Sequence, residues 1–184
     1  PENLPLLRLR AGRYLTTLQS NLAITDFEKC LSLGVERLDC LYRIGLAHYY
    51  AGRYAQALET FENGMSLCDE EMGIAVIYWH TLSAVRAEEA PTLLKYYRLD
   101  MAVGHHTAYK KAMQVWSGIT PLSAMLQMLE SEEDDLEYGI TLYGLLLHPD
   151  CIEKEHLSQN LLCRDGFWPS FAYLAAWNDR SRVL

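Results

Sequence analysis

Apolar residues spaced by one or two helical turns mark residues 38–71 as two short helices. On the first, Leu41, Ile44 and His48 fall on one face, because positions three and seven apart lie together on a helix. Between the helices, Gly52 can adopt the left-handed conformation that ends a helix and that other residues adopt only at a cost. The second helix has the same kind of stripe, formed by Ala57, Phe61 and Gly64.

The segment 38–71 repeats the segment 4–37 at an offset of 34 residues. A fixed period of this length is typical of stacked helix pairs. Within the match, Gly45 and Ala57 are small, and we expect them where two helix backbones approach closely. The matching positions are Leu7/Leu41, Ala11/Gly45, Ala23/Ala57, Phe27/Phe61, Glu28/Glu62, Ser32/Ser66 and Leu33/Leu67.

Beyond residue 72 the repeat fades, but helical periodicity continues. Pro91 suits a first helical turn, where its missing N–H is no loss, and Gly118 is typical of a helix end. The whole chain is therefore predicted to be all-α. The helices predicted here span Ile74 to Val85, Pro91 to Met101, Ala108 to Trp116, Leu122 to Leu129, and about 135–147, 152–163 and 169–180.

The stretch YRIGLAHYYAGRYAQALETF, residues 42–61, closely resembles the tetratricopeptide repeat. It departs from the family pattern at Leu41 and His48, where signature aromatic residues are usual, and at Asp69, where a proline usually closes the repeat. The first repeat matches less well, with Arg10 at a usually apolar position, as expected of a terminal repeat whose outer face meets water. The resemblance implies a right-handed α-solenoid of antiparallel helix hairpins.

The order of the predicted helices is similar to that of bacterial cell-envelope tetratricopeptide lipoproteins, which act as adaptors for proteases and peptidoglycan hydrolases. We expect one domain over 1–184, made of the repeats 4–37 and 38–71, a degenerate helical pair at 72–118 and further helices at 119–184. The chain starts at Pro1 and not at a methionine, so its start predicts no compartment. The resemblance is compatible with the bacterial cytoplasm or, if an upstream signal peptide or lipid anchor was removed, the cell envelope.

The resemblance also places partner binding on the concave face, which the first helices of the repeats form. Tyrosine offers a large contact area at little entropy cost, and arginine can fork onto a carboxylate. The alternative for Tyr49 and Tyr50 is packing against the next hairpin. Leu46 and Gly12 stand where the carboxylate clamp of chaperone-binding members needs asparagine, so apolar contacts should lead. The face comprises Arg8, Gly12, Thr16, Asp39, Tyr42, Leu46, Tyr49 and Tyr50.

The net charge of −8, with 16 dispersed basic residues, argues against nucleic-acid binding and favours a protein or peptide partner. The longest apolar runs, residues 72–79 and 138–147, are shorter than the roughly 20 residues that span a bilayer. We therefore expect no membrane span.

The five cysteines include no CxxC pair, which removes the usual signature of zinc or thioredoxin-like chemistry. Cys30, Cys68 and Cys163 stand beside leucines and are expected as buried free thiols. One disulfide with three free thiols is the alternative.

Two histidine patterns are candidate metal sites. Glu153 and His156 form a Glu-x-x-His step that lacks the second such step of a di-iron bundle, so a solvated helix surface is expected. Adjacent His105 and His106 rarely share one metal on a helix, so a capping or solvent role is expected.

Residues 130–135 hold five carboxylates, which could attract a basic partner segment. We expect instead a solvated loop that stabilises the next helix N-terminus. Gly139 and Gly144, within an apolar helix, indicate close backbone approach.

The leading hypothesis is a non-catalytic interaction module with no cofactor or metal, because no nucleotide-binding, hydrolase or zinc motif occurs. One alternative is a helical metal-dependent enzyme using His80, His105, His106 or the Glu153/His156 pair. The other is a homo-oligomer in which a second copy fills the groove.

Overall fold

A computed structural model describes residues 3–183 of the chain. This part is helical throughout and contains no β-strand, which confirms the all-α prediction. Residues 1, 2 and 184 of the expected 1–184 domain lie outside the described residues. The helices are α1 (Leu4–Thr16), α2 (Ser20–Ser32), α3 (Arg37–Tyr50), α4 (Tyr54–Met65), α5 (Glu70–Arg86), a 3₁₀ helix (Thr92–Tyr96), α6 (Thr107–Trp116), α7 (Leu122–Leu129), α8 (Asp135–Leu146), α9 (Lys154–Cys163) and α10 (Phe171–Val183).

The packing divides the chain into two compact units. Unit 1 comprises residues 1–69 and 79–91, and unit 2 comprises residues 70–78 and 92–184. The first half of α5 therefore belongs to unit 2 and its second half to unit 1. The single domain expected over 1–184 stays a prediction.

Unit 1 is built from two helix hairpins, α1 with α2 and α3 with α4, and α2 also packs on α3. The first helices of the hairpins begin at Leu4 and Arg37, close to the 34-residue offset of the sequence repeat. Gly52 has a φ of 75° and ends α3 as predicted, and the next N–H, of Arg53, donates to the carbonyl of His48 at 3.0 Å. The sequence therefore located the second hairpin correctly.

Glycines allow helices to approach closely in both units. A Cβ at Gly45 would lie 2.6 Å from Cε1 of the Phe61 ring, so the expected close approach of α3 and α4 is confirmed. A Cβ at Gly144 would lie 2.6 Å from the Tyr78 ring, as expected for α8. At Gly139 nothing lies within 4 Å of such a Cβ, so the prediction of close approach is wrong there.

Helix α8 is the centre of unit 2, and α6, α7, α9 and α10 all pack against it. Its residues 139–146 are buried. The Tyr78 hydroxyl donates to the Ile140 carbonyl at 2.7 Å, and the Trp116 indole N–H donates to the Gly144 carbonyl at 2.9 Å. The polar atoms of the Tyr78 and Trp116 side chains thus have their hydrogen bonds satisfied on α8.

The helix predicted from Pro91 to Met101 is wrong, since only the 3₁₀ helix Thr92–Tyr96 forms in this segment. Two carboxylates at the start of α5 hold the following backbone in an irregular path. Glu70 accepts hydrogen bonds from the Ala102 N–H, at 2.7 Å, and from the Arg98 guanidinium, and Glu71 accepts from the His105 N–H at 3.2 Å. Hydrogen bonds between distant parts of the chain therefore override the local helical pattern.

The two helix-interior glycines of α1 and α3 should respond oppositely to alanine. Gly12→Ala meets no atom within 4 Å and should raise the free energy of unfolding by about 0.5–1 kcal/mol, because glycine loses more entropy on folding. Gly45→Ala forces a methyl group into the Phe61 ring and should lower it by about 1–3 kcal/mol. Urea unfolding of both variants checks this, and a stabilised Gly45→Ala would contradict the close packing of α3 on α4.

Candidate functional site

Four of the eight residues predicted for the concave face are buried, namely Tyr42, Leu46, Tyr49 and Tyr50. The Tyr49 ring packs edge-on against Trp79, with centroids 5.2 Å apart, and against Tyr54 at 5.4 Å. The Tyr42 ring lies 6.2 Å from that of Phe61. The contacts of Tyr49 agree with the packing alternative for this side chain. The partner-binding role of the eight residues stays a prediction.

The other four predicted residues remain at the surface of α1 and α3. Arg8 is exposed, and Gly12, Thr16 and Asp39 are partly exposed. The Thr16 hydroxyl donates to the Arg13 carbonyl at 3.2 Å within its own helix. Arg8 reaches from α1 to α3, where its Nη2 lies 2.9 Å from Oδ2 of Asp39.

These residues lie along a shallow groove of unit 1, which we call the arginine groove. Its volume is about 510 Å³, and it is lined by Pro5, Arg8, Leu9, Gly12, Arg13 and Thr16 of α1 with Arg43 of α3. Asp39, beside it, also accepts a hydrogen bond at 2.9 Å from Nε of Arg43 through its other oxygen. Sequence reasoning missed Arg13 and Arg43, although Arg43 follows the predicted Asp39 by about one helical turn.

The charge of the arginine groove is unbalanced. Asp39 neutralises part of the charge of Arg8 and Arg43, while Arg13 makes no ion pair with any residue that the structure describes. Leu9, whose exposed fraction is 58%, supplies apolar surface between the arginines. The groove can therefore receive carboxylates together with some apolar surface.

The acidic loop 130–135 is tied to its own unit, as expected of a segment that stabilises a helix start. The Asp134 carboxylate caps α8 by accepting from the N–H groups of Leu136, at 2.8 Å, and Glu137, at 2.9 Å. Lys111 bridges Glu132 and Glu137 at 2.9 and 3.0 Å. The hydrogen bond from Lys111 lowers the pKa of Glu132.

Arg164 holds the same loop from the end of α9. Its Nε donates to the Asp135 carboxylate at 2.8 Å, and its Nη1 donates to the Glu132 carbonyl at 2.8 Å. The guanidinium also stacks 4.0 Å from the centre of the Tyr138 ring. The carboxylates of Glu132, Asp134 and Asp135 are therefore bound by groups within unit 2.

The histidines proposed as alternative metal ligands lie in separate environments. His156 is exposed, with Nε2 3.2 Å from the side-chain nitrogen of Asn160, and Nδ1 of His106 lies 2.6 Å from the Glu71 carbonyl. His80 is fully buried, and its Nε2 lies 3.3 Å from a Glu62 oxygen. Within residues 3–181, whose side chains are described, no three His, Cys, Asp or Glu side chains form a cluster that could hold a metal ion.

The five cysteines are free thiols in different degrees of burial. Cys30, Cys40 and Cys151 are buried and Cys68 is partly so, whereas Cys163 is exposed at the last turn of α9. The expected burial is therefore confirmed for Cys30 and wrong for Cys163, which faces solvent at the helix end.

A second groove, which sequence reasoning missed, lies in unit 2, and we call it the apolar groove. Helices α7 and α9 form its walls and α8 its floor, and its volume is about 740 Å³. The one signal of this groove in the sequence is Ile152, an isoleucine among charged residues. In the structure the exposed fraction of Ile152 is 90%. The lining residues are Pro121, Leu122, Ser123, Leu126, Leu129, Glu130, Tyr138, Leu142, Asp150, Cys151, Ile152, Glu153, His156, Leu157 and Asn160.

No helix of the described residues is long and apolar enough to cross a bilayer.

His48 should make stability depend on pH. Burial, followed by the charge of Arg53, lowers the pKa of His48 from 6.5 to about 4, and Nδ1 accepts a hydrogen bond from Arg53 at 3.0 Å. Between these two values the unfolded chain binds the proton and the folded chain does not, so stability is lost as pH falls from 6.5 towards 4. Urea unfolding of His48→Gln should show a shallower loss over this range than wild type. Exposed His105→Gln is the control, and equal slopes in all three proteins would contradict the prediction.

Thiol labelling of the native chain should distinguish the cysteines. Burial raises the pKa of Cys40 and Cys68 to about 11 and raises that of Cys30 and Cys151, which lowers the reactive thiolate fraction. A maleimide at neutral pH should therefore modify Cys163 first, as read by peptide mass spectrometry. Labelling of Cys30 at the rate of Cys163 would contradict the packing of α2, and unfolding in urea should make all five react.

Comparison with known proteins returns no match for this chain. No family model, no curated protein and no solved structure matches it. The tetratricopeptide resemblance of residues 42–61 stays a prediction.

Proposed function

We propose that this chain is a non-catalytic protein-interaction scaffold or adaptor, whose helix hairpins form a tetratricopeptide-type right-handed solenoid and whose arginine groove binds a protein or peptide. The observation that carries the proposal is the gathering of Arg8, Arg13 and Arg43 in one groove of a chain with a net charge of −8. The two hairpins of unit 1, in the register of the sequence repeat, support the architecture.

The charges of the groove favour an acidic segment of the partner. Three guanidinium groups line the groove, and the Asp39 carboxylate pairs with two of them, those of Arg8 and Arg43, so a surplus of positive charge remains. A guanidinium can bind a carboxylate through two parallel hydrogen bonds, and lysine lacks this geometry. Hydrogen bonds to charged groups contribute about 1.5–3 kcal/mol each when water is excluded, and less at an exposed groove.

Apolar contacts come from leucines and not from the tyrosines of the expected concave face. Leu6 and Leu9 of α1 are both more than half exposed, and Leu9 lines the groove. Since the tyrosines of α3 are buried, the arginines take a larger share of recognition than the sequence suggested. A segment that mixes acidic and apolar residues fits this surface best.

The finer form of the proposal is an adaptor at the bacterial cell envelope. Its support is the order of the helices, in which hairpins are followed by less regular helical pairs. In that setting the bound protein would be the protease or hydrolase that the adaptor delivers.

Reversal of one charge in the groove tests the proposal. Arg13 makes no ion pair within the described part of the chain, so Arg13→Glu should leave the fold intact and repel an acidic partner. Arg37→Glu changes the net charge equally on an exposed site outside the groove. In pull-downs from the source cells read by quantitative mass spectrometry, at least one wild-type partner should fall about tenfold with Arg13→Glu, which corresponds to about 1.4 kcal/mol, and stay with Arg37→Glu.

As a control for folding, circular dichroism should show the same helix content in the wild-type, Arg13→Glu and Arg37→Glu proteins. Equal recovery of every partner by wild type and Arg13→Glu would remove the arginine groove as the binding site, and equal loss with both variants would indicate attraction to total charge alone.

A further inference from the structure

We propose that the apolar groove of unit 2 is a second docking site, which binds a helical segment of another protein that carries apolar residues flanked by lysine or arginine. This site is separate from the arginine groove. It prefers a basic partner segment, whereas the arginine groove prefers an acidic one.

The shape of the groove suits a helix face. Helices α7 and α9 both pack on α8 and leave a channel between them, with α8 beneath. The volume of about 740 Å³ is in the range of sites that enclose several side chains. Amphipathic helices dock into such channels through residues spaced three, four and seven apart.

Apolar side chains form the interior of the groove. Leu142 of α8 and Cys151, in the segment before α9, are buried, and Leu126 and Leu157 are partly exposed on the walls. Ile152, at the rim, leaves 90% of its surface in water. Burying such surface is favourable, so the groove should prefer apolar side chains from its occupant.

The rim of the groove is acidic, and the residues that the structure describes do not neutralise it. Glu130 and Glu153 make no ion pair with any described residue. The carboxylate of Asp150 is 81% exposed and lies 3.8 Å from Nδ1 of His148, which accepts a hydrogen bond from the Asp150 N–H. Three carboxylates around an apolar channel favour lysine or arginine at the ends of the bound segment.

The cations of the surrounding elements are directed elsewhere. Lys111 is held by Glu132 and Glu137, and Arg164 is held by Asp135 and by carbonyls of the acidic loop. Lys154 follows Glu153 in the chain but does not line the groove, and His156 is the one basic side chain that does. The negative potential at the rim is therefore available to a partner.

A second copy of this chain fits the groove less well than a basic protein. Each copy carries a net charge of −8, so two copies repel each other. The first helix, with exposed Leu6 and Leu9 beside Arg10 and Arg13, is the segment of this chain closest to the proposed chemistry. Self-association is therefore one result that the experiment must detect.

Fluorescence anisotropy with a defined probe tests the site. The probe is a labelled synthetic helix with leucines at one-turn spacing and lysines at both ends, and the matched peptide carries glutamates in place of the lysines. The groove variant Glu130→Lys/Glu153→Lys is compared with Glu133→Lys/Glu155→Lys. The second pair changes the net charge equally at exposed positions that do not line the groove.

The proposal expects the lysine probe to bind the wild-type chain and to lose about tenfold or more in affinity with the groove variant, but less than about twofold with the matched variant. Leu126→Glu should abolish binding, with circular dichroism to show that the variant is folded. If it does not fold, the pair of charge variants decides.

Three results would overturn the proposal. One is equal loss of affinity with both charge variants, which would show attraction to total charge only. Another is equal binding of the lysine and glutamate peptides. The last is concentration-dependent self-association in light scattering that the groove variant abolishes, which would make a second copy the occupant. None of these results affects the interpretation of the Arg13→Glu experiment, so the proposals for the two grooves are tested separately.

Discussion

The ring of Phe61 lies where a side chain of residue 45 would begin, and the ring of Tyr78 lies in the same relation to residue 144. Close packing of an aromatic ring over a glycine sets how near two helices can come in each unit. Interiors packed to this density leave no room for an added methyl group. The contact of Phe61 with α3 and the contact of Tyr78 with α8 both require that residues 45 and 144 have no side chain.

This close packing also decides which side chains remain for binding. Tyr42, Tyr49 and Tyr50 are used inside unit 1, so its surface is left to long arginine side chains and a few leucines. In unit 2, Glu132 and Asp135 of the acidic loop are paired, whereas Glu130 and Glu153 at the apolar groove make no ion pair with a described residue. The chain thus has two grooves whose lining charges are opposite in sign.

The sequence predicted the helices well where the signal is local. The periodic stripe and Gly52 located α3 and α4, and the capping role of the acidic loop followed from its position before α8. The helix predicted after Pro91 was wrong, because Glu70 and Glu71, which are distant in sequence, bind the backbone of this segment. Hydrophobic periodicity does not reveal such long-range contacts. The site was predicted only in part, since a stripe of tyrosines looks the same whether it faces a partner or the next helix.

Asp39 gives the arginine groove an internal competitor. Its two oxygens are already bound, one by Arg8 and the other by Arg43, so a partner carboxylate that binds either of these two arginines, as proposed, would exchange places with a group that is tethered beside the site. Such an exchange replaces one ion pair by another, which lowers the net gain on binding and leaves the released arginines a nearby anion to return to. A partner bound to Arg8 or Arg43 as proposed should therefore dissociate quickly.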